Sequence, residues 1–516
     1  MVWIVPGEQG EAVADLLAMN AIGVEAVRTP PIESTDLLIL ADSLGIQVFQ
    51  DVGPVYAPAG RLMEDLTNLE RAVSEVAARS AAFPAATHIG LGEGVDTSDP
   101  RTCEALARLS EAVRLRAPRI RTYYVSHFLE DDRCANSVDL RLADAFLSAR
   151  LVADLDGGVS ADDFNGVGVG ALRRGRQPDA PGGGLSQPGS AQSQARYLET
   201  ALARLLPERA TRRPAVFVYQ WRDGFPESVV DDHFGLTEST GVGLPAYQVV
   251  RGFYTGDETI FAFPTGKPAD DRTTWPVLLC WFIIAGLAAA YAGSPQFRQV
   301  ALRYFVAHGF YREAVVEGRD VLPFVNVLLL AAVSLMIGLA LTMVCLAVTR
   351  THTAIVLSSW APNVARSFAS ALVERPWLLV LFVGCLHALG YTLWTSVLSV
   401  VSRAGRMLLP AQTLMLTIWP LWPFILWGVI ASTIPALPDG ARLRISAGVA
   451  VTIAVTYAVS SARTLVDYHV VSKVPWYVTL SVGLLSPIGL LVLGSFGALI
   501  RFGPEMTYFW HLLARQ

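Results

Sequence analysis

The sequence predicts a (β/α)8 barrel followed by an all-α, multi-pass membrane domain. Two observations carry this expectation. Over roughly the first 255 residues, short β-rich runs alternate with amphipathic helices, the pattern of a parallel sheet with crossover helices. From about residue 275 the chain becomes a series of apolar runs, most of them near the 20 residues that a helix needs to cross a bilayer.

Eight strands are expected in the first half, at residues 2–5, 24–28, 47–52, 87–91, 121–125, 146–152, 166–171 and 215–220. Eight β/α units in that length match the size of a closed barrel. Between the strands, Leu62, Leu66, Leu69, Val73 and Val76 recur at steps of three and four and give one buried helical stripe. Asp99 followed by Pro100 reads as an N-cap with a helix-initiating proline. Gly23 and Gly45 follow apolar helices where a left-handed residue is wanted. A doubly wound open sheet is the rival, but Pro6-Gly7-Glu8-Gln9-Gly10 after the first strand is not a phosphate-binding fingerprint. Residues 173–196 are rich in Gly, Pro, Ser and Gln and are expected as a surface loop above the barrel mouth.

Bulk properties narrow the function. The net charge of −5 and pI near 5.9 leave no basic footprint, so nucleic acid is not an expected partner. Five cysteines are too few for a disulfide scaffold. Cys280, Cys345 and Cys385 fall in apolar runs, whereas Cys103 and Cys134 could pair if the soluble half is extracytoplasmic. No secretory signal peptide opens the chain, and Met1 to Pro6 is already strand-like. The expectation is a true start further upstream. No His, Cys or Asp cluster has metal-ligand spacing and no Ser stands in a nucleophile elbow; neither metal nor cofactor is expected.

Several phrases resemble the catalytic barrel of glycoside hydrolase family 2. LLAMNAIGVEAVRTPP and LLILADSLGIQVFQDV are similar to that family's second and third β/α units, the latter a strand ending in an acidic residue. THIGLGEGVDTSDP resembles the fourth-strand segment that ends in the acid/base Glu. VFVYQWRDGF with FGLTESTGVGLPAYQVV resembles the eighth strand and last helix. The resemblance implies Glu93 as acid/base, Arg28 as a pocket residue, Trp221 as a sugar-stacking face and Asp223 as a polar group at the mouth. Two departures stand out. Gly92 replaces the Asn expected before the acid/base, and the seventh strand, Gly166 to Leu172, carries no carboxylate where the nucleophile belongs.

Retaining glycosidases need two carboxyl groups about 5–5.5 Å apart. A strand of Gly and Val cannot attack an anomeric carbon. Elsewhere, His88 reads as a core histidine, and His127 with Asp131 and Asp132 faces the same mouth.

In the second half, candidate spans lie at 275–292, 321–348, 376–401, 407–433, 445–459 and 474–500, the fifth being short. Residues 296–320, aromatic with four arginines, read as a helix lying in the interface or as a plain connecting helix. His387 is the clearest ionisable group within a span, and Trp419-Pro420-Leu421-Trp422-Pro423 should kink the fourth or place it near an interface. Nine Lys/Arg flank the spans on one side and eight on the other, too even for the positive-inside rule to orient them. A sugar-directed barrel favours the extracytoplasmic side.

The expected organisation is a barrel at 1–255, a linker at 256–274 and a membrane domain of about six helices at 275–516. The expected function is a membrane-anchored barrel, catalytically degenerate, that binds or scaffolds carbohydrate, with membrane lipid as its other partner. An active membrane-tethered β-glycosidase is one alternative. A transport or channel module with an accessory barrel is the other.

Overall fold

The computed structural model describes the chain except residues 127–130, 145–167, 177–182, 188, 207–214, 225–232, 268–273, 320, 350–362, 438 and 515–516. Two compact units emerge, Met1–Asp270 with Pro504–Gln516, and Asp271–Gly503.

Among the described residues of the first unit, seven strands form one sheet in chain order: β1 (Ala26–Thr29), β2 (Gln47–Asp51), β3 (Ala86–Glu93), β4 (Arg121–Ser126), β5 (Leu140–Asp144), β6 (Gly168–Leu172) and β7 (Val216–Val218). Every pairing is parallel. The result is a nearly closed barrel. Residues 2–5, expected as a full strand, contribute a single bridge from Val2 to Arg28. The Val2 amide donates to Val218 O at 2.8 Å and the Arg28 amide to Met1 O at 2.7 Å, so this short stretch joins β1 to β7.

The strand expected at 146–152 lies outside the described residues. The strand found instead is β5, whose Leu140 and Leu142 alternate with Arg141 and Ala143 over too few positions to stand out. β3 runs to Glu93, two residues beyond its expected end, through glycines that carry no propensity signal.

Around the sheet pack α1 (Gln9–Ala21), α2 (Thr35–Leu44), α3 (Ala59–Glu64), α4 (Leu66–Ser80), α5 (Pro100–Arg116), α6 (Ala191–Leu205) and α7 (Pro245–Thr255). The stripe expected as one helix is divided at Asp65, leaving Leu62 on α3 and Leu66, Val73 and Val76 buried on α4. Asp99 caps α5 by accepting from the Arg101 amide at 2.8 Å, and Gly45 closes α2 at φ 71°. Ser190 caps α6 through the Ser193 amide at 3.0 Å. The surface loop expected to reach residue 196 therefore gives way to helix from Ala191.

Phe49, Tyr123, Val125, Leu142 and Phe217 fill the barrel interior. Strand residues facing outward, such as Val27, Val48 and Val169, pack with Leu16, Leu38, Leu198 and Val249 of the helices. Part of the expected linker joins this unit. Phe261 is 7% exposed, and the Leu185 amide donates to Pro264 O at 3.0 Å. Cys103 and Cys134, 4.6 Å apart at Cα, form a disulfide, within the usual span for such a bridge.

Among its described residues, the second unit holds four helices long and apolar enough to cross a membrane: Trp275–Gly293, Pro323–Val348, Pro376–Ala404 and Ala441–Ser472. Two bent pairs, Pro410–Leu421 with Pro423–Ala436 at 45° and Trp476–Leu484 with Pro487–Arg501 at 66°, bring the number to six if each pair is one span. The first bend falls at the expected Trp-Pro cluster, where proline removes a helix donor. The fifth candidate is far longer than its apolar core, because helix Asp439–Ser472 continues through Arg463 and Asp467. The arginine-rich connection is two helices, Pro295–Val306 and His308–Glu317, rather than one.

Candidate functional site at the barrel mouth

Parallel strands bring their C-terminal ends to one mouth. Here Arg28 lies near the end of β1, Asp51 ends β2, Glu93 ends β3, Asp144 ends β5 and Arg173 follows β6. Alternation along β2 sends Asp51 inward and Gln50 outward; Gln50 is tied to Ser80 at 2.7 Å and to the Ile32 amide at 3.0 Å.

The five residues form a continuous chain of opposite charges. Arg28, 1% exposed, donates from Nε to Asp51 Oδ1 at 3.1 Å and from Nη1 to Gly170 O at 2.9 Å. Its Nη2 pairs with Glu93 Oε2. Arg173 Nη2 donates to Glu93 Oε1 at 2.9 Å and also pairs with fully buried Asp144. Its guanidinium lies 4.4 Å from the Tyr219 ring centroid. Tyr123 donates to Asp51 at 2.7 Å.

Burial by itself would discharge Arg28, but Asp51 and Glu93 beside it hold it firmly protonated. Arg173 is held in the same way, against its burial, by Asp144. Tyr56, buried with φ 54°, completes the wall. Burial pushes its hydroxyl up, with Arg173 pulling the other way.

Small residues in β3 make room for this network. A Cβ on Gly90 would meet Asp51 Oδ1 at 2.6 Å and Tyr123 Cζ at 2.8 Å. At Gly92 it would meet Val95 Cγ1 at 2.6 Å, so the Asn that the family resemblance implies here would require Val95 to move.

The chemistry follows from the acceptors. Both oxygens of Glu93 accept from guanidinium groups, whereas a general acid must carry a proton on one of them. The position after β6, where a second carboxylate was sought, holds Arg173. A carboxylate does lie nearby. Asp144 and Glu93 both bond one guanidinium nitrogen, which puts their oxygens within about 6 Å of each other. The guanidinium stands between them.

Trp221 is 2% exposed. It meets Tyr247 edge-on at 5.9 Å inside the apolar layer between sheet and helices. That ring offers no open face to a sugar, contrary to the expectation for it. Asp223, 7% exposed, pairs with Arg176 and accepts from the Gly235 amide at 2.9 Å. Arg222 reaches Asp15 of α1 at 2.7 Å. The Trp-Arg-Asp segment thus fastens β7 to its surroundings.

His88 stacks on Phe49 with ring centroids 3.9 Å apart. Burial, helped by Arg121, lowers its pKa to about 4. Asp132 accepts from the Tyr124 hydroxyl at 2.6 Å and from the Cys134 amide at 2.9 Å. His127 lies outside the described residues. Among the described residues no group of three or more His, Cys, Asp or Glu is placed to hold a metal ion.

Sequence reasoning singled out Arg28 and Glu93, which the fold brings together, and Trp221 and Asp223, which lie apart from them. It missed Tyr56, Tyr123, Asp144 and Arg173. The available signal for Arg173 was its place one residue past a glycine-rich strand.

No family model matches the chain, and no curated protein matches it. Solved structures do. The family 2 β-galacturonidase of Eisenbergiella tayi bound to galacturonate is 14% identical, with 49% of each chain covered and a TM-score of 0.42. A β-glucuronidase of an uncultured Clostridium sp. is 14% identical over 48% of each chain, with a TM-score of 0.42. The Ruminococcus gnavus β-glucuronidase in complex with uronic deoxynojirimycin is 13% identical over 48% of this chain and 46% of its own, with a TM-score of 0.41. The chain thus spans about half the length of the solved structures it matches. The first of them carries the name of the family that the sequence motifs resemble.

Proposed function

We propose that this is a membrane-anchored protein whose N-terminal barrel binds carbohydrate at its C-terminal mouth without hydrolysing it. The observation that carries the reading is Arg173. It stands where the second carboxylate was expected, and it joins Arg28 in taking up the oxygens of Glu93. The motif resemblance and the gathering of Arg28, Asp51 and Glu93 at the strand ends support a polar ligand there.

Residues 1–255 are assigned to the barrel and 275–516 to the membrane domain. The Cys103–Cys134 disulfide supports an extracytoplasmic barrel, since such bridges persist in oxidising compartments.

One observation favours a second reading, an active retaining β-glycosidase. The spacing of Glu93 and Asp144 is compatible with the 5–5.5 Å that such enzymes use, and displacement of Arg173 by substrate would expose the pair. A panel of aryl β-glycosides presented to the full-length protein in detergent separates the two. Binding of saccharides without chromophore release supports the first. Release that is abolished by both Glu93→Gln and Asp144→Asn establishes the second and overturns the first.

A further inference from the structure

The second unit contains a charged cluster that the barrel chemistry does not use. Asp467, on the last turns of helix Asp439–Ser472, is 0% exposed. Its Oδ1 accepts from Arg312 Nε at 2.8 Å and Nη2 at 2.5 Å, and its Oδ2 lies 3.0 Å from His308 Nε2. One turn earlier, Arg463 places its guanidinium 4.9 Å from the Tyr304 ring centroid and its Nη2 3.3 Å from His308 Nδ1. One guanidinium and an imidazole therefore share the carboxylate, and a second guanidinium stands beside the imidazole. Arg463 enters no ion pair among the described residues. Of the nearby acids, Glu317 is paired with Arg319, and Glu313 is exposed beside Arg312.

Two further observations point to what the excess charge meets. The Tyr304 hydroxyl, in a residue 1% exposed, has no hydrogen-bond partner among the described residues. A buried donor left unmet is costly. The same two-helix segment exposes Leu302 (64%), Phe305 (56%), Val306 (76%) and Phe310 (67%), the apolar side of a helix lying at an acyl boundary.

Depth follows from length. No charged residue lies between Arg444 and Arg463, a stretch of 18 residues. At 1.5 Å per residue this measures about 27 Å, close to the roughly 30 Å of a hydrocarbon core. A helix seated on that stretch carries Arg463 and Asp467 at the headgroup level.

We propose that Arg312, Arg463 and His308, with the Tyr304 hydroxyl as an additional donor, bind the phosphate of an anionic phospholipid headgroup. Asp467 pre-positions the cations, and the exposed aromatic residues lie along the acyl chains.

The test uses the full-length protein in detergent, with phosphatidylglycerol, phosphatidylcholine or inorganic phosphate added. Retained lipid is read by native mass spectrometry and thermal stability in parallel. Phosphatidylglycerol is expected to be retained and to raise the melting temperature. Phosphatidylcholine and inorganic phosphate should do so far less. Arg463→Gln removes a cation that does not touch Asp467, and should raise the half-saturating phosphatidylglycerol concentration about five-fold. Equal retention of the two lipids by the wild-type protein overturns the proposal, as does equal protection by inorganic phosphate. An unchanged half-saturation in Arg463→Gln overturns it too. The wild-type comparison decides the matter if the variant does not fold.

Discussion

Arg173 and Glu93 share a hydrogen bond of 2.9 Å across the barrel mouth, from guanidinium Nη2 to carboxylate Oε1. The same nitrogen serves Asp144, so one side chain neutralises two acids that would otherwise repel each other. The mouth is in this sense a structural ion network, and its members should fail together. Arg173→Ala leaves Asp144 buried without this partner, a loss expected to cost about 3–5 kcal/mol. Chemical denaturation of the full-length protein measures it. A cost below about 1 kcal/mol, in the range of an exposed pair, would contradict the network.

Trp221 is expected to act through packing. Trp221→Ala should destabilise the barrel by about 3–5 kcal/mol, as for other large aromatics cut from a core. Saccharide affinity measured well below the melting temperature should be unchanged. A large loss of affinity with unaltered melting would return Trp221 to the role of a stacking face.

His88 makes a pH prediction with a definite sign. Its folded pKa, lowered to about 4 chiefly by burial, lies below its ordinary value of 6.5. Protonation therefore favours the unfolded chain. The contribution of His88 to stability is complete above pH 6.5 and is lost as the pH falls from there toward 4, in total on the order of 3 kcal/mol. Denaturation midpoints across that window should fall less steeply for His88→Phe, which keeps the stack on Phe49. Parallel slopes for the two proteins would refute the assignment.

The Cys103–Cys134 bridge predicts both linkage and stability. Thiol labelling of the unreduced, denatured protein should modify Cys280, Cys345 and Cys385 only. Replacing both bridged residues by Ser should cost about 2–4 kcal/mol. Quantitative labelling of Cys103 in protein taken directly from cells would place the barrel in a reducing compartment.

The legibility of the fold varied with the strength of local pattern. β2, β4 and the start of α5 were clear because β-branched and aromatic runs, or an N-cap followed by a proline, announce themselves locally. β5 was missed because Leu140–Asp144 has only two apolar alternations. That error shifted Asp144 from a strand end to a connecting loop, and with it a second carboxylate beside Glu93. Arg173 was read as the first residue of a polar loop, since charge and neighbouring glycines argue for solvent. Its burial depends on partners from β3 and β5, long-range contacts that periodicity does not encode. Trp221 failed for the opposite reason. An aromatic at a strand end suits either a ligand face or a core, and only the position of Tyr247 decides. In the second unit, Arg463 and Asp467 ended an apolar count while the helix itself continued.

The barrel's closure rests on Met1 to Trp3, which link β1 to β7 by a handful of hydrogen bonds. Such a joint spans fewer residues than the ladder between β3 and β4, and local opening is favoured where fewer bonds must break. In deuterium exchange, the amides of Val2, Trp3 and Arg28 should gain mass well before those of β3 and β4. Breathing at this seam would let Arg28 withdraw from Glu93 while Arg173 stays in place.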